Sequence, residues 1–354
     1  MKKALILALS LIMLLSFAAC GSTAPAADTA ESANTSTAAD TAPAKNARVL
    51  KIHVGSADTS PINRSLQWFA DQLAEKSNGA LTGQVYGNSQ LAGGNQTTAI
   101  DLTQSGDIEV GVICGVVQAS MMPDFNLTLV PWIFDDLEMV DTVLANGTDV
   151  FQKYYDEFMA KDLVLLAFGE NGFRQVTNNV RAINAPEDMD NIKIRVLGNQ
   201  MLQAVYTALG GNPTDYNFNE LYTALQQGTV DGQENPVTTI IIPSKFYEVQ
   251  KYMSLWDICY DTENMCMGKE TWDSFSEEEQ AIIQECAIAW AQYNKDLARG
   301  EEEEGMKMLK DYMEISTFDA AQKATFKAIA DPVNEQFVSQ WDSGLYDAIT
   351  AYSK

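Results

Sequence analysis

The feature that most constrains this chain is a repeated switch between two hydrophobic periods. Residues 48–54, Arg48-Val49-Leu50-Lys51-Ile52-His53-Val54, alternate as a strand does. Pro61 then suits the first turn of a helix, and Ile62, Leu66, Phe69 and Leu73 follow at helical spacing up to a closing Gly79. Strands are expected over 81–86, 108–114 and 163–168, with a helix over 97–104. A second set begins with a strand over 191–196. A helix carrying Leu202, Val205, Tyr206 and Leu209 follows, then a short one between Asn219 and Gly228. Ser276 and Glu279 form a capping box. Behind them Ile282, Cys286, Trp290, Tyr293 and Leu297 mark a long amphipathic helix expected to run through Met313. Such alternation implies an α/β architecture with a largely parallel sheet. At 354 residues the chain exceeds what one core usually serves, so two domains are expected.

The first residues speak to location. Lys2-Lys3 precede an apolar run over 4–17 and then Ala18-Ala19-Cys20. The run is too short for a membrane span and ends at a processing site, so 1–19 reads as a signal peptide. It resembles a bacterial lipoprotein signal, in which Cys20 is lipidated and anchors the mature chain to the membrane. Plain secretion with a free Cys20 is the alternative. Residues 20–47 are mostly Ala, Thr, Ser, Asp and Pro, a composition that cannot repay ordering entropy and is expected to form a flexible tether. An oxidising location permits disulfides among Cys114, Cys259, Cys266 and Cys286, and spacing does not choose between the pairings. Four free, buried cysteines are the simpler expectation.

Charge and missing motifs narrow the function. With 48 acidic against 23 basic residues the net charge is −25, opposite to what a nucleic-acid backbone requires. No nucleophile elbow, H-E-x-x-H or P-loop occurs, and the one histidine, His53, sits within an expected strand. The chain is therefore read as a non-enzyme without cofactor or metal, and the Glu301–Glu304 run as a solvated helix face. Arginines are scarce in this acidic chain, yet Arg174, Arg181 and Arg195 lie close together in sequence.

The middle of the chain carries a family pattern. Phe168-Gly169-Glu170-Asn171-Gly172-Phe173-Arg174-Gln175 is followed by Ala185-Pro186-Glu187 and by Ile192-Lys193-Ile194-Arg195-Val196. Asn219-Glu220-Leu221-Tyr222 through Gly228 leads into Asp231-Gly232-Gln233-Glu234-Asn235-Pro236, and Gln90-Leu91-Ala92-Gly93 lies upstream. Together these resemble the DctP-type solute receptors of tripartite ATP-independent periplasmic (TRAP) transporters. The resemblance implies a two-lobed periplasmic-binding-protein-like fold of class II type, with hinge strands and a long bracing helix. Lobe I would comprise 48–170 plus 261–300, and lobe II 171–260 plus 301–354, with crossings near Asn171 and Tyr260. It further implies a monomer that captures an organic acid and hands it to membrane permease subunits. A catalytic protein or a surface adhesin or sensor is the rival reading.

By the same resemblance, Arg195 makes a bidentate salt bridge to the ligand carboxylate, Arg174 also reaches the ligand, and Asn235 helps hold the same group. A planar guanidinium fork matches two carboxylate oxygens in a way that lysine does not. For each arginine a structural ion pair is the alternative. Tyr216 and Phe218 fall where the family places ligand-wall side chains, although core packing suits them equally. Trp256-Asp257 stands where many relatives carry a polar Asn-His pair, and Cys114 at a cleft position that is acidic in sialic-acid-type receptors. These departures favour a hydroxylated monoacid, a uronate or aldonate, over a plain C4-dicarboxylate.

Overall fold

The computed structural model describes residues 47–352. The signal segment 1–19, the lipidation site Cys20 and the tether as far as residue 46 lie outside the described residues. Ten strands form the framework: β1 (Arg48–Val54), β2 (Leu81–Tyr86), β3 (Val110–Cys114), β4 (Leu163–Asn178), β5 (Lys193–Arg195), β6 (Asn212–Thr214), β7 (Gly232–Pro236), β8 (Tyr252–Leu255), β9 (Tyr260–Gly268) and β10 (Glu314–Thr317). Their main order is β2-β1-β3-β9-β4-β7-β5-β6, with β8 joining β4 to β10.

The sheet is mixed rather than largely parallel. β1 runs parallel to β2 and β3, and β5 parallel to β6 and β7, as βα crossovers require. The two long strands break that pattern: β9 is antiparallel to β3 and β4, and β4 is antiparallel to β7 and β8. β4 is also much longer than the expected 163–168. Its first half pairs with β9 as far as Phe173↔Tyr260, and its second half pairs with β7 from Arg174↔Pro236 onward. One strand thus serves two groups of partners. Polar Glu170, Asn171, Arg174, Gln175, Thr177 and Asn178 continue the strand because each is buried with partners rather than solvated. That is why no apolar run announced it.

Helices cover the sheet where periodicity placed them. Helix Pro61–Lys76 is capped by Ser60 and buries Ile62, Leu66, Phe69 and Leu73 against β1 and β2. Helix Glu277–Gly300 opens with the expected capping box: Ser276 Oγ accepts from Glu279 N–H, and the Glu279 carboxylate accepts from Ser276 N–H. Its Ile283, Cys286 and Trp290 enter the same core, and Trp290 Nε1 donates to Ser65 Oγ at 2.9 Å. The helix does not run unbroken to Met313. It stops at Gly300, and a second helix, Glu302–Leu309, follows Glu301. Glycine is a weak helix former, and the break falls beside it. Glu301 itself pairs with Arg64. The four cysteines of the folded part are buried and free.

Candidate carboxylate-binding cleft

Arg195 ends the short strand β5, gripped between β6 and β7. Its side chain is fully buried. Nε donates to the Tyr216 carbonyl at 3.0 Å, which fixes the plane of the guanidinium. Nη1 and Nη2, both buried, have no hydrogen-bond partner among the described residues. Burial pulls the Arg195 pKa down to about 10, so the group remains cationic at neutral pH. The Phe218 ring lies 6.0 Å from its Cζ, and Gln96, Leu197, Asp215 and Tyr216 share the same hollow. A buried charged fork with two idle donors is costly unless something pairs with it.

Arg174 is the opposite case. Its Nε meets Glu234, and Nη1 donates to Asp261 Oδ2 at 2.7 Å. Nη2 reaches the Glu234 carbonyl and Oε1, both at 2.9 Å, and Asn235 Oδ1 at 3.1 Å. A guanidinium has five N–H donors, so a single Nη1 hydrogen is left uncommitted. Burial disfavours its charge, but Glu234 and Asp261 more than offset that and push its pKa well up. Burial raises the Asp261 carboxyl, opposed by Arg174, by the Asn171 amide at 2.8 Å and by the Val116 N–H at 3.0 Å. Asn235 is tied in turn to Gln233 through Nδ2 at 2.5 Å.

The inner hollow is lined by Arg174, Asn235, Cys114 and Phe218, and it shares Gln96, Leu197 and Phe218 with the Arg195 hollow. The two are therefore one cleft, and the structure brings Arg195, Arg174, Asn235, Tyr216, Phe218 and Cys114 together around it. Cys114 Sγ contacts Gln96 Oε1 at 3.6 Å, and burial raises its thiol well above the ordinary range.

Trp256 and Asp257 lie elsewhere. Trp256 is wholly buried among Trp132, Tyr206, Phe318 and Phe326, because the large indole completes an aromatic core. Asp257 accepts from Gln175 Nε2 at 2.7 Å, pairs with Lys323 at 2.9 Å and borders separate hollows near Glu302.

Sequence reasoning missed His53, Asn171 and Glu263, all of which border the cleft. His53 lies in the expected strand. Its ring is buried but Nδ1 has no partner, and burial lowers its pKa to about 4. A usable signal existed: ligands gather at the carboxyl ends of strands in open α/β sheets, and His53 is the last residue but one of β1 while Cys114 ends the parallel strand β3. Glu263 carried no such mark, because β9 runs antiparallel and presents its middle to the cleft.

Two groups of strands joined through shared long strands, with a buried guanidinium fork in the cleft between them, define a solute receptor of the periplasmic-binding type. The chain belongs to the DctP family, bacterial extracellular solute-binding protein family 7, whose pattern matches residues 53–340. Its members are the receptors of TRAP transporters and work outside the cytoplasmic membrane. Among the described residues no helix is long and apolar enough to cross a membrane. Family and fold are those of transport solute-binding proteins, which are not enzymes. The 2,3-diketo-L-gulonate-binding periplasmic protein of Escherichia coli is 29% identical over 84% of this chain and 89% of its own length. The C4-dicarboxylate-binding periplasmic protein of Rhodobacter capsulatus is 28% identical over 84% and 89%. The sugar acid binding protein of Advenella mimigardefordensis, solved with galactonate, superposes with a TM-score of 0.82 at 31% identity, covering 87% of this chain and 99% of that one.

Proposed function

We propose that this TRAP receptor captures a hydroxylated monocarboxylate, a uronate or aldonate, through the Arg195 fork, and delivers it to a membrane permease. The carrying observation is the pair of buried, unpartnered Nη atoms on a guanidinium whose Nε is already held. Two parallel N–H···O bonds to one carboxylate satisfy both. Asn235 and the remaining Arg174 hydrogen border the same space and supply further donors. Phe218 and Leu197 give an apolar wall for the carbon skeleton. Relatives that bind diketogulonate and galactonate support a sugar acid, while the C4-dicarboxylate receptor keeps dicarboxylates in the panel. In this reading the lobes are 48–170 plus 261–300 and 171–260 plus 301–354, and Cys20 carries a lipid anchor that keeps the receptor beside its permease.

Calorimetric titration with galactonate, glucuronate, diketogulonate and succinate tests the ligand class. Arg195→Lys keeps the charge but loses the fork, and its expected cost is about 2–3 kcal/mol, roughly 30- to 150-fold in Kd. Wild-type affinity in that variant would end the bidentate assignment.

A further inference from the structure

Beyond the Arg195 fork, the cleft holds a carboxyl group with no ion-pair partner among the described residues. Glu263 stands in β9 opposite Cys114, is 4% exposed and borders the cleft beside His53, Ser56, Gln96 and Cys114. It takes part in none of the side-chain hydrogen bonds or ion pairs described above. The cation that shares its surroundings, Arg174, is already committed to Glu234 and Asp261. Two buried carboxylates thus face one guanidinium, and a third anion there has no counter-charge.

Resting on the carboxylate-receptor reading, we propose that Glu263 determines specificity as a neutral carboxylic acid, exchanging hydrogen bonds with a ligand hydroxyl and selecting a polyhydroxy monoacid over a dicarboxylate. A protonated carboxyl offers one O–H donor and one carbonyl acceptor, the complement of an alcohol. Burial pushes the Glu263 acid well up, Asp261 adds to the rise and Arg174 opposes it. The other titratable groups of the cleft are His53 on β1, Cys114 on β3, Arg195 on β5 and Asp215 after β6, with Glu234 on β7 behind Arg174. Burial keeps His53 unprotonated and Cys114 a thiol, so neither contributes charge near neutral pH. His53 Nδ1, buried without a partner, is a second polar atom suited to a hydroxyl. A second ligand carboxylate in this place would bring a further negative charge beside Arg174, whose own charge Glu234 and Asp261 already offset, which is unfavourable in a dry site.

A proton linkage follows. A ligand that hydrogen-bonds to the acid form of Glu263 holds that group's pKa above its value in the ligand-free protein, so binding takes up protons wherever the ligand-free group is partly ionised. The sign is fixed: affinity falls as pH rises above the pKa of the ligand-free protein, by at most about tenfold per pH unit for one linked proton. The experiment is calorimetric titration of wild type and Glu263→Gln with D-galactonate and succinate between pH 6 and 9, in buffers of contrasting ionisation enthalpy. Wild type should take up a proton, prefer galactonate and weaken with pH. Glu263→Gln should bind galactonate within about threefold of wild type at pH 6 and lose most of the pH dependence. A pH-independent wild type without proton uptake overturns the proposal, as does a folded Glu263→Gln that keeps the slope or loses galactonate. A preference for succinate also overturns it. Wild type carries the proton measurement by itself, so a misfolded variant would not spare the idea. Failure of every acid to bind wild type at any pH would instead overturn the carboxylate-receptor reading, whereas binding without proton uptake would remove only the role of Glu263.

Discussion

Arg174 and Arg195 are equally buried, yet their surroundings demand opposite outcomes on removal. Arg174→Met would strand Glu234 and Asp261 as buried, uncompensated carboxylates, and the expected destabilisation is about 3–5 kcal/mol. Arg195→Met removes a buried cation whose Nη atoms have no partner, so the unbound protein should keep its stability within about 1 kcal/mol or gain some. Urea denaturation of the two variants without ligand separates the cases. Equal losses would mean that Arg195 is structural after all. Which arginines border the cleft was legible from their motifs. Which of them was free to act was not, because Glu234 and Asp261 approach Arg174 from two other strands, far away in sequence.

Helix ends were the most legible elements, since caps depend on neighbours within a single turn. Ser276→Ala removes the side-chain acceptor of the capping box and should cost about 1 kcal/mol, read as a shift in denaturation midpoint. Gly300, where the long helix stops, has open space around an added Cβ. Gly300→Ala should therefore stabilise by about 0.5–1 kcal/mol and favour continuity into Glu302–Leu309. A loss in that variant would show that the break itself is needed. Strand β4 was only half legible. Its apolar start is an ordinary buried strand, but its polar continuation through Arg174 and Gln175 is strand only because β7, β8 and β9 are there to pair with it.

At the scale of the whole molecule, an acidic chain belongs to a family of receptors whose relatives bind anions. The −25 net charge surrounds a cleft whose uncommitted cation is buried, so the outer field should repel an approaching sugar acid. Raising ionic strength should then accelerate association, while dissociation, governed by contacts inside the closed cleft, changes less. Stopped-flow association that slows with salt would show that the local charge of Arg195 dominates the approach. The sequence by itself determined the α/β class, the starts of the main capped helices, the family pattern and the placement of Arg195 and Arg174 at the cleft, because periodicity, caps and contiguous motifs are short-range properties of the chain. Tertiary structure alone decided the mixed strand order, the displacement of Trp256 and Asp257 from the cleft, and the meeting of His53 and Glu263 inside it. Those outcomes rest on long-range strand pairing and burial, and burial is what turns an ordinary carboxyl or guanidinium into one whose partner decides its role.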